Sequence, residues 1–327
     1  MDCDVVLSGG GVKGIGLVGA LVAMLDAGYA PRRFAGTSAG SIVSAIGAAA
    51  GGRLSGSRIR ELAFSLPYRA FLDADGLERL PVLGPAQALL RGSGVYRGDV
   101  AHRWIADRLA ELGVRTFADL AIDDDTVPPE QRYSLVVTVA DITTGQLIRL
   151  PWDYRRVYDL EPDDQPVADA VRASMSIPFF FRPVPLTNPR TGLTSTLVDG
   201  GVLSNFPIDT FDTTGVPRWP TFGVTVLPNL PEGNDKVIPG LTLLHRFGGP
   251  TLLERLITTV IVGRDQAYLN QPWVAARTIR VDATKVGFLE FDIGDPAKEA
   301  LYAAGYDAAR TFLQRWDFDA YIEEFRR

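Results

Sequence analysis

Two glycine-rich turns lie within the first fifty residues, each closing a short apolar run and each opening a helical pattern, and they constrain the fold more than any other feature. The run Cys3 to Leu7 is β-rich and ends in Ser8 and three glycines. From Lys13 to Ala27 the apolar residues Leu17, Leu21 and Met24 recur at helical spacing, with Gly28 as a C-cap. A second brief strand around Arg33 to Ala35 runs into Gly36, and a small-residue helix is expected from Ser38 to about Ala50. Strand, turn, helix, strand, turn, helix is the signature of the α/β class. The alternation predicts a mostly parallel central sheet flanked by helices on both faces.

Further along, Ser57 to Phe64 and Asp99 to Leu112 read as helices, Tyr133 to Ala140 as a buried strand and Gln146 to Leu150 as its partner. Val167 to Ser174 reads as a helix stopped by Pro178, Ser195 to Val198 and Thr221 to Leu227 as strands, and Leu252 to Tyr268 and Pro296 to Trp316 as long covering helices. No repeat or biased linker interrupts the 327 residues, and 46% are apolar, so the chain is read as a single domain, 1–327. A net charge of −6 offers no broad basic surface for nucleic acid. The lone Cys3 cannot close an internal disulfide, and the N-terminus has no basic region of a leader, so a soluble protein of the reducing cytoplasm is expected. The uncharged stretch Phe34 to Gly52 approaches membrane-spanning length, but its Gly, Ala, Ser and Thr content marks it as a buried soluble segment.

Gly36-Thr37-Ser38-Ala39-Gly40 is a G-x-S-x-G between strand and helix. A nucleophilic serine needs this setting, because small neighbours let the backbone fold sharply and expose the hydroxyl at a helix N-terminus. Taken alone, it could equally be a helix-capping turn. Gly9-Gly10-Gly11-Val12-Lys13-Gly14 also follows a strand and opens a helix. Its glycines free backbone N–H groups for an anion. A dinucleotide reading would need an acidic residue ending the second strand, where Gly36-Thr37-Ser38 stands instead. An oxyanion hole fits better, since both turns then share one sheet edge. The third motif, Asp199-Gly200-Gly201, puts a carboxylate at the end of an apolar strand, where it could meet a nucleophile on a neighbouring strand; by itself it is a common turn.

Only His102 and His245 could complete a triad. Ser38, Asp199 and His245 follow the α/β-hydrolase order, yet both histidines read as surface or capping residues, and the nucleophile comes after only two strands. A Ser–Asp dyad is the preferred reading.

In this order and context the three motifs, GGGVKG, GTSAG and DGG, resemble the bacterial type of the patatin-like phospholipase family. So do Val167 to Pro183 (VADAVRASMSIPFFFRP) and Asp199 to Pro207 (DGGVLSNFP), including Asn205. The likeness covers residues 4–210; residues 211–327 carry no matching motif and are expected to supply covering helices and edge strands. The resemblance implies a three-layer sandwich and hydrolysis of fatty acyl esters of phospholipids or lysophospholipids. It makes Ser38 the nucleophile and Asp199 its base, and places the oxyanion hole at Gly9, Gly10, Gly11, Lys13 and Gly14. Gly36 and Gly40 then form the nucleophile elbow, with Gly200 and Gly201 completing the Asp motif. A carboxylate base predicts a rate profile without an imidazole-type limb near neutrality.

An acyl chain needs an apolar channel. Phe179, Phe180, Phe181, Leu66, Phe71, Leu72, Leu77, Leu80, Val82 and Leu83 are candidates for its wall, with Leu66 to Tyr96 as a cover that opens at a lipid surface. At this net charge any membrane contact would be local and apolar. No cofactor and no metal site are expected; the acidic run Asp123, Asp124 and Asp125 lacks EF-hand spacing.

Overall fold

The computed structural model describes residues 1–53, 55–73, 94–226, 260, 265–286 and 290–326. In chain order its regular elements are β1 (Asp2–Leu7), α1 (Gly14–Asp26), β2 (Ala30–Thr37), α2 (Ala39–Ala50), α3 (Gly56–Phe64) and α4 (Asp99–Glu111). Then come β3 (Leu135–Asp141), β4 (Gln146–Leu150), α5 (Tyr154–Tyr158), α6 (Val167–Ser174), β5 (Val184–Thr187) and β6 (Thr194–Asp199). The last are β7 (Thr221–Thr225), α7 (Gln266–Leu269), α8 (Pro272–Ala275), β8 (Thr278–Arg280), α9 (Asp295–Leu313) and α10 (Phe318–Phe325).

The strands form one mixed sheet in the order β5-β6-β3-β2-β1-β7-β8, with β4 also paired to β3. The centre is parallel: β1 pairs with β2 and β7, β2 with β3, and β7 with β8. The flank beyond β3 is antiparallel, through β4, β6 and β5. The α/β expectation is thus correct. The two-residue side-chain period sorts each central strand onto two cores. Val5, Leu7, Phe34, Leu135 and Val137 face the large core under α1, α2 and α9. Val6, Ala35 and Val136 face a smaller one with Phe206, Ile208 and Val274. Among the described residues, that second face is covered only thinly, by α7, α8 and the 206–211 segment.

Helix α1 is buried almost throughout, because α9 approaches it backbone to backbone. A Cβ on Gly19 would stand 2.0 Å from the Tyr302 carbonyl oxygen, and one on Gly305 would stand 1.9 Å from that of Gly16. The uncharged stretch from Phe34 ends β2 and forms α2, both buried in the core. No helix among the described residues is long and apolar enough to cross a membrane. Most of the helix expected from Leu252 to Tyr268 lies outside the described residues, as do Leu77, Leu80, Val82 and Leu83.

Candidate active site

Parallel β1 and β2 end at the same sheet edge, which brings the two glycine turns together. At the end of β2 the chain reverses through Ser38, whose φ of 54° and ψ of −124° are a conformation that non-glycine residues avoid. Two glycines make the reversal feasible. A Cβ on Gly36 would lie 2.4 Å from the Gly40 carbonyl oxygen, and one on Gly40 would lie 2.4 Å from that of Leu7. Backbone packs on backbone here, so no side chain can yield. The strained serine is also held from behind. Its N–H donates to Ser174 Oγ at 2.9 Å, and Ser174 Oγ donates to the Thr138 carbonyl at 2.7 Å.

Asp199 arrives from the other direction. Rather than ending a strand that neighbours β2, as the sequence suggests, it ends β6, which runs antiparallel to β3, and β3 separates β6 from β2. The register pairs Val139 with Asp199 and Thr138 with Thr37, so the carboxyl reaches the level of Ser38 across β3. Gly200 permits the crossing, since a Cβ there would be 2.5 Å from the Thr138 carbonyl oxygen. The Asp199 N–H donates to the Ser176 carbonyl at 2.9 Å, and Asp199 Oδ1 accepts the Gly201 N–H at 2.8 Å. Oδ2 is buried with no hydrogen-bond partner.

Burial pushes the Asp199 carboxyl up to about 7, against smaller opposing pulls from the Ser38 hydroxyl and the Gly201 N–H. Ser38 thus lies close enough to act on the carboxyl, but its hydroxyl is not seated on Oδ2 at bonding geometry. This burial works against the expectation of a profile without a limb near neutrality, since it pushes the carboxyl up into that range.

The first glycine turn divides into engaged and free groups. The Gly9 N–H donates to the Asn205 carbonyl at 2.9 Å, and the Gly14 N–H donates to the Gly11 carbonyl. Among the described residues, the N–H groups of Gly10 and Gly11 meet no protein acceptor. Of the five residues expected to form an oxyanion hole, Gly10 and Gly11 therefore keep amides to offer. The Lys13 side chain is buried, and desolvation lowers its pKa while Asp282 pulls the other way. Asn205 clasps Gly9 at two points, since its Nδ2 also donates to the Gly9 carbonyl at 3.3 Å. Asp265 fixes Asn205 in turn, accepting the N–H groups of Asn205 and Phe206 at 2.7 Å each. Sequence reasoning assigned no role to Ser174, Ser176, Asn205 or Asp265; the only signal was the likeness of the first three residues' segments to a family pattern.

Gly11, Gly14, Ser38 and Ala39 open into a narrow apolar cleft of about 50 Å³, walled by side chains from α1, α2 and α3. Of the expected channel residues, Leu66, Phe71 and Phe181 line it. Phe180 instead stacks on Phe291, while Leu72 and Phe179 are exposed. His102 pairs with Asp169 at 2.7 Å on the surface, and His245 lies outside the described residues. Asp124 accepts from Thr126 and pairs with Arg218. Among the described residues, no three His, Cys, Asp or Glu side chains gather to hold a metal.

The family model of patatin-like phospholipase matches residues 5–212. The uncharacterized protein YqhO of Bacillus subtilis is 36% identical over 97% of this chain and 100% of its own length. An uncharacterized NTE family protein of Mycobacterium tuberculosis is 30% identical over 94% of this chain; the chain spans only 46% of that protein. Among solved structures, VipD from Legionella pneumophila superposes with a TM-score of 0.53 at 18% identity, over 96% of this chain and 66% of VipD, a likeness of fold.

Proposed function

The chain belongs to the patatin-like phospholipase family, and from that premise we propose that it hydrolyses fatty acyl esters of phospholipids or lysophospholipids through Ser38 and Asp199. The observation that carries this reading is the strained Ser38 turn facing a buried carboxyl with one open oxygen, beside unengaged glycine amides. Backbone strain of this kind costs roughly 1–3 kcal/mol and survives only where the surroundings enforce it.

In the first half-reaction, Asp199 Oδ2 takes the Ser38 proton as Oγ bonds to the ester carbonyl carbon. The Gly10 and Gly11 N–H groups receive the developing oxyanion, each such donor being worth roughly 10²–10³ in rate. Collapse breaks the bond to the alcohol, which leaves with the proton from Asp199. In the second, a water attacks the acyl-serine and gives its proton to Asp199; the fatty acid departs and Ser38 recovers its proton. Asp199 thus needs a pKa near the working pH, and its burial raises it into that range. In this reading α9 and the other C-terminal elements complete the same domain, and no metal or cofactor enters either step.

The test is lipid mass spectrometry on mixed phospholipids with the wild type and Ser38→Ala, together with fluorophosphonate labelling. Free fatty acid and a modified Ser38 peptide are expected from the wild type alone. Fatty acid release that survives Ser38→Ala, or a folded wild type that neither labels nor releases fatty acid, would sink the reading.

A further inference from the structure

Helices α1 and α2 each follow a parallel strand, so both begin at the Ser38 edge of the sheet and run away from it. The cleft at Ser38 takes Gly14, Ile15 and Val18 from α1, and Ala39, Ile42 and Ile46 from α2. A second cavity, farther from Ser38, takes Leu21 and Leu25 from α1, and Gly47 and Ala50 from α2. On α1 Val18 of the first cavity is followed by Leu21 and Leu25 of the second, and on α2 Val43 and Ile46 are followed by Gly47 and Ala50, steps of three or four residues that keep to one face. The two cavities are therefore halves of a single groove between α1 and α2. Among the described residues one side chain lines both halves: Ile59 of α3.

Ile59 is 5% exposed, and its helix is pressed hard against α1. A Cβ on Gly56 would stand 2.6 Å from Val22 Cγ1, so α3 cannot settle deeper and has little freedom to roll. The far half is bounded by Asp26 and Ser55 as well as by apolar residues, which gives it a polar mouth. An apolar chain entering at Ser38 thus runs along apolar wall until it meets the Ile59 side chain.

On the acyl-hydrolase reading above, we propose that Ile59 is the stop that measures the acyl chain, and that the preferred substrates are esters of medium-length fatty acids. Ser38 and Ile46 are separated by eight steps of helix, about 12 Å at 1.5 Å each. At roughly 1.2 Å per bond of an extended chain, that length matches about ten carbons, whose bulk exceeds the resting cleft of about 50 Å³ and must part its side-chain walls on entry. Removing the side chain beyond Cβ joins the two halves and admits longer chains; enlarging it shortens the measure.

The experiment compares kcat/KM for butyryl, decanoyl and palmitoyl esters of p-nitrophenol in the full-length wild type, Ile59→Ala and Ile59→Phe. Ratios taken within one protein cancel any loss of folded material. The wild type is expected to prefer the decanoyl ester. Ile59→Ala should raise the palmitoyl-to-decanoyl ratio about tenfold, the discrimination a few methylenes command in an apolar pocket. Ile59→Phe should lower the decanoyl-to-butyryl ratio. A wild type that prefers palmitoyl, or ratios unmoved by either substitution, overturns the proposal while leaving the hydrolase intact. A folded wild type inert to all three esters defeats the hydrolase reading itself, and the measured stop with it.

Discussion

The two halves of the site are fixed by different physics. Ser38 is held by geometry: carbonyl oxygens 2.4 Å from where Cβ atoms would stand at Gly36 and Gly40, and a left-handed φ that the surrounding backbone enforces. Asp199 is held by two hydrogen bonds and is governed by its surroundings, with one oxygen left open and burial setting the protonation state. On the mechanism proposed above, a nucleophile needs a fixed direction of approach, which close backbone packing provides at any pH. A base needs a suitable proton affinity, which desolvation provides at a cost that changes with pH.

Substitutions should separate these controls. Asp199→Asn is expected to lower kcat/KM by roughly 10³-fold or more, as loss of a base from a unit that acts together does. The same change should stabilise the fold at high pH. A carboxyl whose folded value lies near 7, above the unfolded value of 3.8, favours folding below about pH 4 and loses that contribution as pH rises through 7. Denaturant melts should therefore show the variant gaining on the wild type between pH 4 and 8, by about 4 kcal/mol at the full shift; a constant difference would mean that burial does not govern Asp199.

On the nucleophile side, Gly40→Ala should cost about 3 kcal/mol or more, at every pH, and abolish fluorophosphonate labelling. A stable variant that still labels would show that backbone contact does not fix Ser38. The wild-type rate should rise tenfold per pH unit up to an inflection near 7 and then level off. His245→Ala should leave that inflection in place; its disappearance would transfer the base role to the imidazole. A more modest loss is expected for Ser174→Ala, which strands the buried Ser38 N–H: about 1–3 kcal/mol of stability and roughly tenfold in kcat.

The Ser38 turn was legible in the sequence because its determinants are local. Gly36, Ser38 and Gly40 lie within one turn, and glycine's freedom and serine's hydroxyl point to the same geometry. Parallel alternation placed the first glycine turn at the same edge. The acid half depends on direction, which spacing does not encode. Nothing in DGG tells that β6 enters antiparallel with β3 between it and β2, and only the Val139–Asp199 register shows the approach. Ser174 and Asn205 were hidden for a related reason. Each acts on a residue more than 130 positions away, Ser38 and Gly9, through bonds that only tertiary folding creates. The family resemblance counts Gly9 among the oxyanion-hole residues; the fold commits its N–H to the Asn205 carbonyl instead. Short elements such as β5 and β8 carry too few residues for a period to show.

The close backbone seat between α1 and α9 has a consequence for biosynthesis. A ribosome releases α1 well over two hundred residues before α9, yet the backbone of Tyr302 covers Gly19 and Gly305 packs directly on the Gly16 carbonyl. While the intervening residues are added, at roughly 5–20 per second, the apolar α1 lacks its permanent partner. Its greasy surface must be shielded from other chains throughout that interval. A message truncated shortly before codon 302 would yield a product bearing all three motifs and an uncovered core.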